Sequence, residues 1–291
     1  MKIIKASKLD KEAIFNIWLS CFTEDEEYIN TYLEYCFPHS TTLLLGDDIN
    51  GYVSVITIIP SYFIHDKKVV KGGYLYGVGT LPEHRGNSYS SKLIQYAKEL
   101  LISEEFDYFI VKPATETLFS LYKRLGFKEE LFNTTVIVKP LQDINQDSKS
   151  KIQLKIGTTK DADKIFHYRE EHLSSSNLLW PKEILSYSVQ EILNRNGFLF
   201  INEITGDYCT GYTSDDSSRL LILETTVKPE LVESYFGDQI MKKYSGIDNW
   251  TIDYPYNTRF SCTPQRSALL MELKPGTYEL CQALNLSLPM E

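Results

Sequence analysis

The stretch GGYLYGVGTLPEHRGNSYSSKLI, residues 72–94, decides how this chain is read. A β-rich run ends at Thr80-Leu81-Pro82, a turn carries Arg85-Gly86, and a helical pattern begins a few residues later. In that pattern Leu93, Ala97, Leu100 and Leu101 share one face. The first N–H groups of a helix have no acceptor within it and carry partial positive charge. They suit a diphosphate, and Arg85 adds a charge that bonds phosphate oxygens. A nucleotide-derived cofactor is therefore expected at this turn.

Upstream, residues 1–6 read as a short strand, and Ile14, Ile17, Trp18 and Cys21 recur at helical spacing. DEEYINTYLEYCF follows as a second helix with acidic residues in its first turn. Residues 41–45, 52–64 and 69–80 read as strands parted by turn-like 48–51 and 66–68. Downstream, 106–111 reads as a buried strand and 115–125 as a helix with Gly126 at its C′ position. A strand is expected at 136–138. The polar run LQDINQDSKSK, 141–151, reads as a linker.

Beyond the linker the order begins again. IQLKI reads as a strand and TTKDADKIFHYREEHL as a helix opened by Thr and Asp caps. Strands are expected at 197–204 and 219–227, and a helix at 231–244. Laying residues 78–97 on 225–244 puts Pro82 on Pro229, Glu83 on Glu230 and Leu93 on Ile240. Matching element order favours a duplicated domain, with an unrelated second domain as the alternative. In that alignment Val232 falls on Arg85 and Glu233 on Gly86, and a carboxylate there repels a diphosphate.

Composition bounds the function. The chain has 291 residues, a length suited to two domains, and a formal net charge of −9. That charge argues against nucleic acid as a partner and suits a cationic one such as an amine. The five cysteines show no metal-clip spacing, and the five histidines show none either. No signal peptide and no membrane-spanning run is visible, so a cytoplasmic protein without membrane contact is expected.

Two motifs together carry a resemblance. Val78-Gly79-Thr80-Leu81-Pro82 precedes Arg85-Gly86-Asn87-Ser88-Tyr89-Ser90, and Tyr122-Lys123-Arg124-Leu125-Gly126-Phe127 follows one helix and one strand later. Residues 72–127 thus resemble the core of the GCN5-related N-acetyltransferase (GNAT) family. The opening WLSCFTEDEEYINTYLEYCF is similar to a bacterial subgroup, the enhanced-intracellular-survival acetyltransferases. The resemblance implies an α+β fold, a GNAT-type mixed sheet flanked by helices. It implies a GNAT domain at 1–140, the linker at 141–151, and a degenerate GNAT-like or accessory α/β domain at 152–291. It implies acetyl-CoA as co-substrate, no metal, and a small-molecule or peptide amine as acceptor. Val78, Gly79, Thr80, Arg85, Gly86, Asn87, Ser88, Tyr89, Ser90 and Thr115 would hold the cofactor. Tyr122 would protonate the departing thiolate.

The pattern departs from the family at three positions. Ser88 and Ser90 stand where glycines are usual, and Thr115 stands where an Asn is frequent. No base is evident. Glu24, Asp25, Glu26 and Glu27 border the expected acceptor side, but acidic residues at a helix start need no catalytic explanation. The C-terminal carboxylate at Glu291 is a further candidate by resemblance. The aromatic stretch 250–260, with Tyr254 and Tyr256, lines an acceptor pocket or packs in a sheet. The expected activity is N-acetyl transfer. The alternative is an acetyl-CoA-binding sensor or assembly module without turnover, which the two serines and the missing base favour, while the intact Arg85 and Tyr122 favour the enzyme.

Overall fold

A computed structural model describes residues 1–22, 25–138, 153–173, 177–255, 264–281 and 284–286. In chain order the first elements are β1 (Lys2–Lys5), α1 (Lys11–Cys21), α2 (Glu26–Thr31), β2 (Thr41–Asp47), β3 (Gly51–His65) and β4 (Lys68–Thr80). Next come α3 (Tyr89–Ser103), β5 (Tyr108–Val111), α4 (Glu116–Arg124) and β6 (Glu129–Val138). Then follow β7 (Lys155–Ile156), α5 (Ala162–His172), α6 (Lys182–Asn194), β8 (Phe198–Ile201), β9 (Tyr208–Thr213) and β10 (Leu220–Thr225). The last are α7 (Val232–Lys243), β11 (Trp250–Pro255), β12 (Gln265–Glu272) and α8 (Thr277–Cys281).

The chain divides into two units. One is Met1–Leu131 with Ser267–Gln282, the other Phe132–Arg266 with Ala283–Met290. The sequence reading runs each domain as one continuous stretch with a boundary after residue 140. The units instead exchange their closing strands, and the linker expected at 141–151 lies outside the described residues.

In the first unit the strands order β1-β2-β3-β4-β5-β12. Ser7 and Asp10 form a capping box ahead of α1, with Asp10 accepting from the Ser7 N–H at 2.8 Å. A tight turn through Asp66 and Lys67, both at positive φ, joins β3 to β4. Leu93, Ala97 and Leu101 of α3 and Phe119 and Tyr122 of α4 pack on Leu75, Phe109 and Val111. Tyr76, the neighbour of Leu75 on β4, points to the other face. There Trp18 of α1 stacks on Tyr32 at 4.1 Å and meets Tyr76 edge-on at 5.7 Å. The second helix is shorter than its sequence pattern: α2 stops at Thr31 and a π-helical turn, Tyr32–Cys36, continues it.

β4 and β5 run parallel only from Gly72↔Tyr108 to Leu75↔Val111. β4 continues to Thr80 paired with β3 alone. The β3–β4 ladder slips between Val55 and Thr57, leaving a bulge on β4 around Gly77. Gly77 has φ +56, and a Cβ there would lie 2.4 Å from Trp18. Both facts demand glycine.

The second unit repeats the plan with order β6-β11-β10-β9-β8-β7. β9 and β10 are antiparallel with a register slip between Ile222 and Glu224. β10 and β11 are parallel from Leu220↔Trp250 to Ile222↔Ile252. A capping box of Thr158 and Asp161 precedes α5. Phe198, Cys209, Leu220, Phe236, Ile240 and Trp250 form its core. α6, β9, α8 and β12 add to the elements expected from the sequence.

Candidate active site

The Arg85–Ser88 turn lies between the 3-10 turn Pro82–His84 and α3. Gly86 has φ +83 with open space where a Cβ would stand. Ser88, the N-cap of α3, sits at φ 58 and ψ 28, and its side chain makes no capping bond. That left-handed conformation is why glycine suits the position, and a serine there costs about 1 kcal/mol. Asn87 is spent locally, its amide donating to the His84 carbonyl at 3.0 Å. Tyr89 and Ser90 open α3 and are half-buried, and the first N–H groups of the helix have no intrahelical acceptor. Arg85 is exposed, and its Nε donates to the Thr80 carbonyl at 3.1 Å. The guanidinium thus folds back over the end of β4, beside Cys21. Burial raises the Cys21 thiol pKa, with Arg85 opposing.

Val78, Gly79 and Thr80 lie on the part of β4 that has no β5 partner. Ser54 holds this segment from the β3 side, donating to the Gly79 carbonyl at 2.8 Å and contacting the Thr80 hydroxyl at 2.8 Å. The opposite edge therefore offers backbone groups to an extended ligand. Thr115 is the exposed N-cap of α4, and its hydroxyl meets that of Thr117 at 3.0 Å.

Tyr122 lies in the last turn of α4. The Phe127 N–H bonds the Tyr122 carbonyl at 3.1 Å, and the Gly126 N–H bonds that of Lys123 at 3.2 Å. This is a Schellman cap with Gly126 at φ +104, and Phe127 packs edge-on to Tyr122 at 5.8 Å. The Tyr-x-x-x-Gly-Phe motif is thus a helix stop that fixes the tyrosine ring. Tyr122 is 6% exposed, and its hydroxyl makes no hydrogen bond to any described residue. Burial pushes its pKa up to about 12, so the phenol keeps its proton at neutral pH.

Of the acidic candidates, Asp25 caps α2 by accepting from the Tyr28 N–H at 2.8 Å. Glu26 and Glu27 are exposed in its first turn. Glu24, Glu291 and residues 256–260 lie outside the described residues, as does the Tyr254 side chain. Among the described residues no group of three or more His, Cys, Asp or Glu is placed to hold a metal ion. No helix among them is long and apolar enough to cross a membrane.

The second unit differs at the matching place. Its 3-10 turn Pro229–Leu231 runs directly into α7, with no counterpart of Arg85–Ser88 between them. Val232, laid on Arg85 by sequence, is a buried helical residue. At the β10 bulge Arg169 of α5 grips Glu224, Nε to Oε1 at 3.0 Å and Nη2 to Oε2 at 3.0 Å. Tyr208 donates its hydroxyl to the same carboxylate. Arg169 and Glu224 are 1% and 2% exposed, so this is a fully buried ion pair.

Comparison with known proteins fits this geometry. Residues 11–127 match the acetyltransferase (GNAT) family. This stretch is a GNAT domain. Members of the GNAT family are acyltransferases that generally use acetyl-CoA, and family and fold together support acetyl transfer in general. A GNAT protein from Kribbella flavida is 14% identical, with a TM-score of 0.67 over 94% of this chain and 72% of its own. One from Anabaena variabilis is 17% identical, with a TM-score of 0.65 over 94% and 73%. Eis1 from Mycobacterium abscessus is 9% identical, with a TM-score of 0.63 over 94% and 74%. The likeness in fold thus extends past the GNAT domain into the second unit. A comparison with curated proteins finds no match by sequence.

Proposed function

We propose that the chain is an N-acetyltransferase that moves an acetyl group from acetyl-CoA to an amine of a small molecule or peptide. The observation that carries the reading is the stretch of β4 without a β5 partner that leads into the Arg85–Ser88 turn and the start of α3. The α3 N–H groups and the Arg85 guanidinium would hold the pyrophosphate. The edge of Val78–Thr80 that lacks a β5 partner would pair with the pantetheine arm, the Thr80 carbonyl once Arg85 turns to the pyrophosphate.

In the reaction the amine lone pair attacks the thioester carbonyl carbon. The C–S bond breaks, its electron pair leaves on the thiolate, and Tyr122 supplies the proton. The acceptor nitrogen loses its proton to solvent, from which the Tyr122 phenolate regains one. A phenol raised to about 12 is protonated before the step and so holds a proton to give, while the same burial makes it a weaker acid than a free tyrosine. The second reading, an acetyl-CoA sensor without turnover, is favoured by Ser88, a non-glycine residue at φ 58 in the phosphate turn.

Release of free CoA thiol over a panel of amines separates the two. Amine-dependent release is the expected result. Acetyl-CoA that raises Tm without release by any amine would leave the sensor. No Tm shift at millimolar acetyl-CoA would remove both readings, because a ligand at a hundredfold excess over Kd adds about 2.7 kcal/mol.

A further inference from the structure

Trp18 is 1% exposed, and its indole N–H has no hydrogen-bond acceptor among the described residues. A buried donor left without an acceptor is costly. The rings around it are satisfied elsewhere: Tyr32 bonds Thr42 at 2.9 Å and Thr57 at 2.5 Å, and Tyr28 bonds Tyr76. The indole edge beside the nitrogen lies on Gly77, where a Cβ would come within 2.4 Å of Cζ2 and 3.0 Å of Cε2. Gly77 belongs to the β4 bulge, on the segment freed from β5. The unpartnered donor therefore stands beside Gly77, next to the Val78–Thr80 edge along which the pantetheine arm is proposed to lie.

The second unit shows what such a position does when the protein supplies the acceptor itself. Asp10 and Asp161 close equivalent capping boxes, and Trp18 and Arg169 stand at the same spacing after them, in α1 and α5. Arg169 directs its donors at a carboxylate, Glu224, at the β10 bulge. The first unit has glycine, Gly77, at its own bulge and so offers Trp18 no side-chain oxygen.

We infer that the Trp18 indole N–H donates to the carbonyl oxygen of the acyl thioester bound along β4. The inference rests on the acetyl-CoA reading above. Negative charge gathers on that oxygen as the amine attacks, and a donor already fixed in a dry site stabilises it without reorganisation. Trp18 is then a substrate-contacting residue on the side of the sheet opposite Tyr122.

The test compares acetyl-CoA with S-ethyl-CoA, a thioether that lacks the carbonyl, by calorimetry on wild type and Trp18→Phe. Wild type should prefer acetyl-CoA, and Trp18→Phe should lose about three- to tenfold of that preference, the worth of one hydrogen bond. Affinity for S-ethyl-CoA should stay within about twofold, because nothing in that ligand meets the indole N–H. An unchanged preference overturns the inference and leaves the N–H to a ring face in its own aromatic cluster. Should Trp18→Phe fail to fold, the wild-type protein still answers. The Trp18 indole N–H resonance should move downfield with acetyl-CoA and stay in place with S-ethyl-CoA, and equal responses would overturn the inference. Binding of neither compound to wild type would remove the cofactor reading, and the role of Trp18 with it.

Discussion

The two units place the same bulged strand beside the same short parallel pairing and then treat the gap in opposite ways. In the first, glycine occupies the β4 bulge, β4 has no β5 partner beyond Leu75, and a turn of exposed residues precedes α3. In the second, Glu224 at the β10 bulge is bound by Arg169 and Tyr208, and the turn ahead of α7 is missing. The fold alone therefore does not make a binding site. At the bulge itself the second unit sets a carboxylate, Glu224, bound by Arg169 through Nε and Nη2, where the first has glycine beside the Trp18 indole.

The largest test of this contrast is Tyr122→Phe. It keeps the ring in its Schellman cap and removes the proton, so kcat should fall about 10²–10⁴-fold with little change in acetyl-CoA affinity. Steady-state kinetics beside calorimetry checks this, and an equal loss of Tm would make Tyr122 structural instead. The raised pKa also sets a pH window. Folding favours the neutral phenol, so its contribution is complete below about pH 10 and is lost as pH rises through about 12. Ionisation of Tyr122 should not limit activity at neutral pH.

Arg169→Ala probes the filled gap. It leaves the Glu224 carboxylate buried without its cation and should cost about 3–5 kcal/mol in urea denaturation. The double replacement Arg169→Met with Glu224→Leu should be near neutral, because an apolar pair escapes the desolvation penalty. Recovery that fails in the double variant would show that the pair does more than plug the second unit.

Arg85→Ala should weaken acetyl-CoA by about 1.5–3 kcal/mol and leave Tm of the free protein unchanged. Val232→Ala, its partner in the sequence alignment, should lower stability as a core truncation and leave affinity alone. Equal losses of affinity in both would contradict a single site.

The smallest effect is expected from Ser88→Gly. Relief of the left-handed serine should raise stability by about 0.5–1 kcal/mol, offset in part by the added freedom of the unfolded chain. Affinity for acetyl-CoA should hold or tighten slightly. A loss of affinity would instead mean that the Ser88 hydroxyl binds the ligand.

The GNAT domain was legible because its signals are local. Turn residues, helix periodicity and the Tyr-x-x-x-Gly-Phe stop each act within a few residues, and each appears where its pattern puts it. The repeat was only half legible. Its best marker, the capping boxes at Ser7–Asp10 and Thr158–Asp161, consists of short polar runs that recur in unrelated chains. The alignment of Val232 with Arg85 failed because the turn it assumed is not present in the second unit.

By itself the sequence determined the elements around 72–127 and the family whose pattern they follow. Only the tertiary structure decided that β12 closes the first sheet against β5 and that β6 joins β11 in the second unit. It alone brought Trp18 onto Gly77 and Arg169 onto Glu224. Those pairings join residues far apart in the chain, and no local pattern encodes them. They follow from which strand edges and buried donors remain to be satisfied once the local elements have formed.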